Sequence, residues 1–340
     1  MINFNTKLPA FFLIVTLFFS ACDNTDEPQP DPVFQLPSKI INKIEIDSNG
    51  VKWFATEKGI VSFDGTNWTI FSDNEQLTNG VIFDIAPESQ NNSANIWIGG
   101  KTGVSFFNKT ENPVSITNYK RANSEILSDT IYSVGLNDNN AKFIGTAKGL
   151  SILENGKWTG FYGRESEPIL KYFKISDIAT TSGGSVYVST EGGGVSRFVY
   201  TDAVSGATTL NLPWASGLVS ENVFTVVVVN GIEQWYGTDA GAAHHTSEST
   251  KADWQSYSRE DGLVCDTVYA IAQDKNGNMW FGTHKGVSNF NGSTWTNYTK
   301  KDGLVADKVN TVAVDTDGSL WFGTENGISH FTNGTWETIE

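Results

Sequence analysis

The sequence predicts an all-β chain, a seven-bladed β-propeller of four-stranded antiparallel blades, from three observations. A tetrapeptide opening on an aromatic residue recurs seven times with a period of about 44 residues. A glycine follows each copy after two further residues. Between these marks, apolar runs of about four to six residues alternate with turns rich in Asn, Asp and Gly, the pattern of strands joined by hairpins. Composition agrees, because 33 Gly and 11 Trp beside 9 Pro and 2 Met suit short strands, tight turns and bulky aromatic wedges.

The copies are Trp53-Phe54-Ala55-Thr56, Trp97-Ile98-Gly99-Gly100, Phe143-Ile144-Gly145-Thr146, Tyr187-Val188-Ser189-Thr190, Trp235-Tyr236-Gly237-Thr238, Trp280-Phe281-Gly282-Thr283 and Trp321-Phe322-Gly323-Thr324. Their glycines are Gly59, Gly103, Gly149, Gly193, Gly241, Gly286 and Gly327. The sixth copy shows the plan: Val268–Ala272, a turn at Asp274–Gly277, Met279–Thr283, a turn ending in Gly286, Val287–Phe290, a turn at Asn291-Gly292, then Trp295–Thr299. Hairpin connections of this kind require positive φ, which glycine supplies. A four-stranded sheet that is apolar on both faces must be covered on both, and seven such sheets stack around an axis. The aromatics of the second strand, with Trp68, Trp158, Trp254, Trp295 and Trp336 of the fourth, are expected to wedge neighbouring blades.

Met279–Ser288, preceded by Asp261-Gly262-Leu263 and followed by Trp295 and Tyr298, resembles the two-component regulator propeller repeat. The resemblance runs from Leu36 to the C-terminus and is strongest in the first, sixth and seventh copies. It implies an extracytoplasmic sensing or binding domain, and members of the family typically serve hybrid histidine kinases. This sequence shows one propeller, with neither a membrane-spanning helix nor a kinase after it.

Ahead of the repeats, Lys7, the apolar stretch Leu8–Phe19 and Ser20-Ala21-Cys22 read as a lipoprotein signal over 1–21, with Cys22 as the lipidated residue. An acidic, proline-rich tether over 22–35 then leads to the propeller at 36–340. The expected location is the bacterial cell envelope, at the outer membrane through the N-terminal lipid anchor. Cys265 is the one cysteine left, so no intramolecular disulfide is expected. With 38 acidic and 23 basic side chains the formal charge is −15, which argues against a nucleic-acid partner.

In such a ring the second-to-third turns and the residues preceding each first strand share one rim. The ligand-binding candidates on it are Glu57, Lys101, Asp129, Glu191, Glu221, Asp239, Asp266, His284, Asp307 and Glu325. Asp129, Glu221, Asp266 and Asp307 fall at one repeat position, where they either form an acidic mouth or cap a turn. Lys43, Asp84 and Asp177 are channel candidates, being charged at a slot otherwise small or neutral. The Asp274–Gly277 and Asp315–Gly318 turns lack the full ligand run of a calcium loop, and no cofactor or metal site is expected. His244 and His330 share a third-strand slot with Ser62, Arg197 and Asn289 and read as variable positions.

These features favour a ligand-binding, sensing or protein-interaction module, with a glycan, peptide or protein as partner. The alternative is a small-molecule lyase or hydrolase acting through His284 and nearby acids, since the virginiamycin-inactivating lyases share a seven-bladed propeller and a rim histidine.

Overall fold

The short β-rich runs and glycine turns give the hairpins the repeat demands, and each set of four consecutive strands forms one antiparallel sheet. The computed structural model describes residues 34–71, 80–88, 95–109, 115–139, 141–162, 170, 174–200, 208–209, 217–246 and 253–340. Gln35–Glu340 forms one unit, separate from Met1–Phe34. The expected signal segment, Cys22 and nearly all of the tether lie outside the described residues.

Blade 1 comprises β1 (Ile41–Ile46), β2 (Lys52–Thr56), β3 (Gly59–Phe63) and β4 (Trp68–Phe71), in that spatial order. The first strands of blades 2 to 7 are β5 (Ile82–Pro87), β9 (Ile131–Leu136), β13 (Ile175–Thr180), β17 (Val223–Val229), β21 (Val268–Gln273) and β25 (Val309–Val314). Each packs on the first strand of the next blade, so they line the axis. Blade 4 has the shortest outer strand, Thr208–Thr209. Helix among the described residues is limited to a 3-10 turn at Lys300–Asp302 among the named elements.

Two kinds of glycine set the geometry. Those inside the second strands let the next blade approach: a Cβ on Gly282 would lie 2.9 Å from Val309 Cγ1. Those after the second strand hold a turn, as at Gly286, where φ is 132° and a Cβ would meet the Tyr298 carbonyl oxygen at 2.3 Å. Blade 4 departs from the expected register. Its turn is one residue longer, so Gly194 and not Gly193 pairs with Thr190 and takes the positive φ of 69°.

The aromatics pack between blades as expected. Trp53, Phe54, Phe281 and Phe322 are fully buried. Edge contacts cross from one blade to the next, as in Phe54 to Trp321 at 5.9 Å and Trp235 to Phe281 at 5.6 Å. The shared third-strand slot is less variable in role than its residues suggest. His244 and His330 stack on Trp235 and Trp321 at 3.9 and 4.1 Å, while Arg197 sits over Tyr187 at 5.6 Å. The slot covers the face of the second-strand aromatic.

The ring closes without exchange of strands. The last blade is β25, β26 (Leu320–Thr324), β27 (Gly327–Thr332) and β28 (Thr335–Ile339), and it meets blade 1 through side chains and single backbone bonds. Gly327 N donates to the Lys39 carbonyl at 2.6 Å, Asn310 Nδ2 to the Ile41 carbonyl at 3.0 Å, and Lys52 pairs with Asp315 at 2.6 Å. Phe34 lies outside any strand.

Candidate functional site

All seven first strands carry a register shift between their first and third residues, as between Ile41, opposite Thr56, and Lys43, opposite Ala55. The first residue pairs with the threonine or glycine that precedes the second-to-third turn, which places the bulge at the rim. The bulged second residues are Asn42, Phe83, Tyr132, Ser176, Phe224, Tyr269 and Asn310, all half-buried at the channel mouth.

Three of these knit the ring. Asn42 Nδ2 donates to the Ile82 carbonyl at 2.7 Å, Asn310 does the same to Ile41, and Ser176 Oγ donates to the Val223 carbonyl. The other four form two aromatic pairs. Phe83 and Tyr132 stand 5.3 Å apart and tilted by 40°, and Phe224 and Tyr269 stand 5.4 Å apart and tilted by 45°. Lys174 lies over Tyr132 at 4.7 Å and Lys308 over Tyr269 at 5.5 Å. Burial, with the charges of Cys265 and Glu325 added, holds the Tyr269 phenol above its ordinary pKa. It stays a neutral donor.

The rim candidates divide by role. Asp129, Asp266 and Asp307 each accept a backbone N–H from the preceding connection, from Arg121 at 2.7 Å, Arg259 at 2.7 Å and Lys300 at 2.8 Å. They hold the connection in shape, the turn-capping alternative of the two open for that position. Glu221 is exposed, and its carbonyl accepts from Gly192 and Gly194 at 3.0 and 2.9 Å. Glu191 pairs with Lys174, and Asp239 accepts from Asn222 Nδ2 at 2.8 Å. Glu57, Lys101, His284 and Glu325 are exposed on turns. His284 Nδ1 lies 3.5 Å from Tyr269 Oη. Among the described residues no group of three or more His, Cys, Asp or Glu side chains is arranged to hold a metal ion.

The channel candidates lie one residue deeper. Asp84 Oδ2 accepts from Val134 N at 2.7 Å, and Asp177 Oδ2 accepts from Val226 N at 2.9 Å and Thr225 Oγ1 at 3.0 Å. Thr311 fills the same role at the closure, accepting from Ile44 N at 3.2 Å. These side chains stitch three of the seven first strands to the next. Lys43 reaches Glu45 at 3.2 Å and Asp84 at 3.7 Å. Burial pushes the Asp84 carboxyl up to about 6, against the pull of Lys43 and with the help of Asp177. Burial alone would lower the Lys43 ammonium, but Asp84, Glu45 and Asp177 outweigh it and hold it above the ordinary lysine range. Towards the far end of the channel is a cavity of about 450 Å³ lined by Val227, Ile271, Ala272, Val312 and Glu45 among others.

The mouth aromatics and the two lysines above them are absent from the sequence-derived candidates. The signal that would have found them is the position directly after the first apolar residue of each first strand, read across blades.

Residues 262–285 and 303–326 match the family described as two component regulator propeller. No curated protein matches the chain. Among solved structures, the extracellular domain of the hybrid two component system BT4673 from B. thetaiotaomicron is similar, with a TM-score of 0.68 and 18% identity over 88% of this chain. The chain spans only 38% of that protein. PorZ, a bacterial surface component of the type-IX secretion system of Porphyromonas gingivalis, gives a TM-score of 0.71 and 16% identity over 88% of this chain and 48% of its own. A streptogramin B lyase gives 0.68 and 15% identity over 90% of this chain and 96% of its own. At these identities the likeness is one of fold. The chain thus carries the two component regulator propeller repeat, matched directly where its sixth and seventh blades begin and set in a ring of seven blades.

Proposed function

We propose that this propeller is a recognition module of the cell envelope that binds carbohydrate at the channel mouth bearing Tyr132 and Tyr269. The observation that carries this reading is the composition of one rim. Two pairs of half-buried aromatic rings stand there beside ammonium and carboxylate groups. Aromatic faces cover the apolar faces of a sugar ring, and the mixed donors and acceptors meet its hydroxyls. The folds of an extracellular domain of a two component system and of a bacterial surface component support an envelope setting by analogy. For the lyase alternative, His284 faces Tyr269 Oη, and no ion pair joins it to a carboxylate among the described residues; the geometry gives that reading no added weight.

Binding to a glycan array, followed by titration of the best-bound glycan to wild type and Tyr269→Ala, tests the proposal. Loss of affinity in the variant is expected; wild type that retains no glycan would sink it. Charge reversal at Asp266 or Asp307 is a poorer test, because those carboxylates hold the connections. Membrane attachment is proposed through lipid on Cys22. Cys22→Ser should release the protein from membranes, and a variant that remains membrane-bound and lipid-labelled would refute the anchor.

A further inference from the structure

The mouth is built on a seven-fold repeat, yet its chemistry recurs only twice. Blades 2, 3 and 4 supply Phe83, Tyr132 and Lys174; blades 5, 6 and 7 supply Phe224, Tyr269 and Lys308. The two rows match in order and in spacing, with ring pairs at 5.3 and 5.4 Å and tilts of 40° and 45°. The position of the lysines is occupied in the other blades by Ile40, Val81, Thr130, Asn222 and Thr267. A cation therefore appears only where a tyrosine of the preceding blade lies beneath it. The backbone beneath is that of the repeat: Glu191 N donates to the Lys174 carbonyl at 3.2 Å and Glu325 N to the Lys308 carbonyl at 3.3 Å, as Lys101 N, Ala147 N and His284 N do to Val81, Thr130 and Thr267, so the two rows differ from the other blades in side chains alone.

The fold does not require this. Where the second residue of the first strand bonds to the next blade, it is Asn42, Ser176 or Asn310. The four aromatic positions replace that bond with rings that leave part of their surface at the mouth. A merely structural substitution would have no reason to bring a lysine with it twice, three blades apart.

Resting on the carbohydrate reading above, we infer that the mouth holds two equivalent subsites, one on each Phe-Tyr-Lys row, and takes a neutral oligosaccharide whose repeating unit occupies both. Each row brings one ammonium and one carboxylate, Lys174 with Glu191 and Lys308 with Glu325, so the charges balance. Adjacent donors and acceptors of opposite sign suit vicinal hydroxyls, and no net field selects an acidic sugar. Two weak subsites joined by one ligand bind far more tightly than either alone, because the second contact is intramolecular.

The test is an array of neutral and acidic oligosaccharides of graded length, followed by calorimetric titration of the best-bound glycan and its shorter homologues. Variants are Phe83→Ala with Tyr132→Ala, Phe224→Ala with Tyr269→Ala, and the milder Lys174→Ala and Lys308→Ala, each checked for an intact fold. Comparable losses of ten-fold or more from the two aromatic variants, and a steep gain in affinity when the glycan grows long enough to fill both rows, are expected. If an aromatic variant fails to fold, the lysine variants decide on the same symmetry of loss. Loss from one row only, or a preference for acidic glycans, overturns the two-subsite inference and leaves mouth recognition standing. A glycan bound equally by all variants overturns both readings of the mouth, and an array with no bound glycan overturns the carbohydrate reading and this inference with it.

Discussion

The indole N–H of Trp280 donates to Oδ2 of Asp274, six residues upstream, at 3.0 Å. The other oxygen of the same carboxylate accepts Asn276 N at 2.8 Å and Asn278 N at 2.9 Å, so one aspartate shapes the hairpin turn and satisfies the wedge that the hairpin carries. Trp53 with Asp47 repeats the whole arrangement, and Trp321 with Asp315 repeats its indole bond, at 2.9 and 3.3 Å. In blade 5 the aspartate's place is taken by Val229, and among the described residues Trp235 Nε1 has no hydrogen-bond partner. Asp274→Ala leaves a buried donor and two turn amides without their acceptor. It is expected to destabilise the protein by about 1–3 kcal/mol, read as a lower denaturant midpoint. A shift below about 0.5 kcal/mol would mean the carboxylate contributes little beyond what water replaces.

Much of this was open to reading along the chain. The spacing from Asp to Trp is constant in the first, sixth and seventh copies, and the turn-forming role of Asp274-Lys275-Asn276-Gly277 follows from its recurrence. What hid the mouth was the bulge. A period-two strand would give the second residue the same facing as the fourth, yet Phe83 is half-buried at the rim while Ile85 is buried. The rim acids were visible as a repeated position, but whether a carboxylate faces solvent or folds back on an N–H seven or eight residues earlier depends on the connection's path. Asp266 and Arg259 N meet only because Gly262, at φ 124°, turns the chain between them. In the fourth blade one added residue moved the turn glycine from Gly193 to Gly194, an insertion that a fixed register cannot show.

The second-strand glycines predict a packing defect that no side-chain adjustment relieves. A Cβ on Gly237 would lie 2.8 Å from the Val268 carbonyl oxygen and 2.7 Å from Thr225 Cγ2. The first is backbone of the next blade's inner strand and cannot swing away. Gly237→Ala is expected to destabilise by about 1–3 kcal/mol through overpacking, with blade 5 and blade 6 forced apart. Gly183→Ala is the control, since its φ, like that of Gly237, lies outside the left-handed region and a Cβ there would meet nothing nearer than Thr181 Oγ1 at 3.8 Å. Thermal melting of the two variants should isolate the clash, and equal losses would contradict the interblade argument.

The closure of the ring includes two ion pairs of very different burial. Lys52 and Asp315 are 12% and 4% exposed at their side chains, and Lys39 and Glu340 are 52% and 47% exposed. Removing one partner of the first strands a buried charge, so Lys52→Ala should destabilise by about 3–5 kcal/mol. Lys39→Ala breaks a solvated pair and should change stability by less than about 1 kcal/mol. Because blade 7 is joined to blade 1 by these contacts and not by a shared strand, hydrogen exchange in Lys52→Ala should rise first in β1 and β25. Uniform exchange across all blades would indicate that the seam is no weaker than the other interfaces.

The inner ring also carries a pH signature. Asp84 is raised to about 6, mainly by burial, with Lys43 opposing and Asp177 and Glu45 adding to the shift. Its ordinary value when unfolded is 3.8, so between those two values the folded chain binds the proton that the unfolded chain has lost. Stability contributed by this group is therefore present in acid and falls as pH rises towards 6, by up to about 3 kcal/mol. Asparagine keeps an oxygen to accept from Val134 N and carries no charge. Asp84→Asn should thus leave stability near its wild-type value at about pH 3, below the unfolded value of 3.8, and raise it relative to wild type at about pH 8, where the native chain must hold the ionised carboxylate in the ring. Melting temperatures of both proteins across that range are the measurement. If the difference between variant and wild type does not grow with pH, Lys43 fully compensates the buried carboxylate, and the pair acts as a neutral strut between blades 1 and 2.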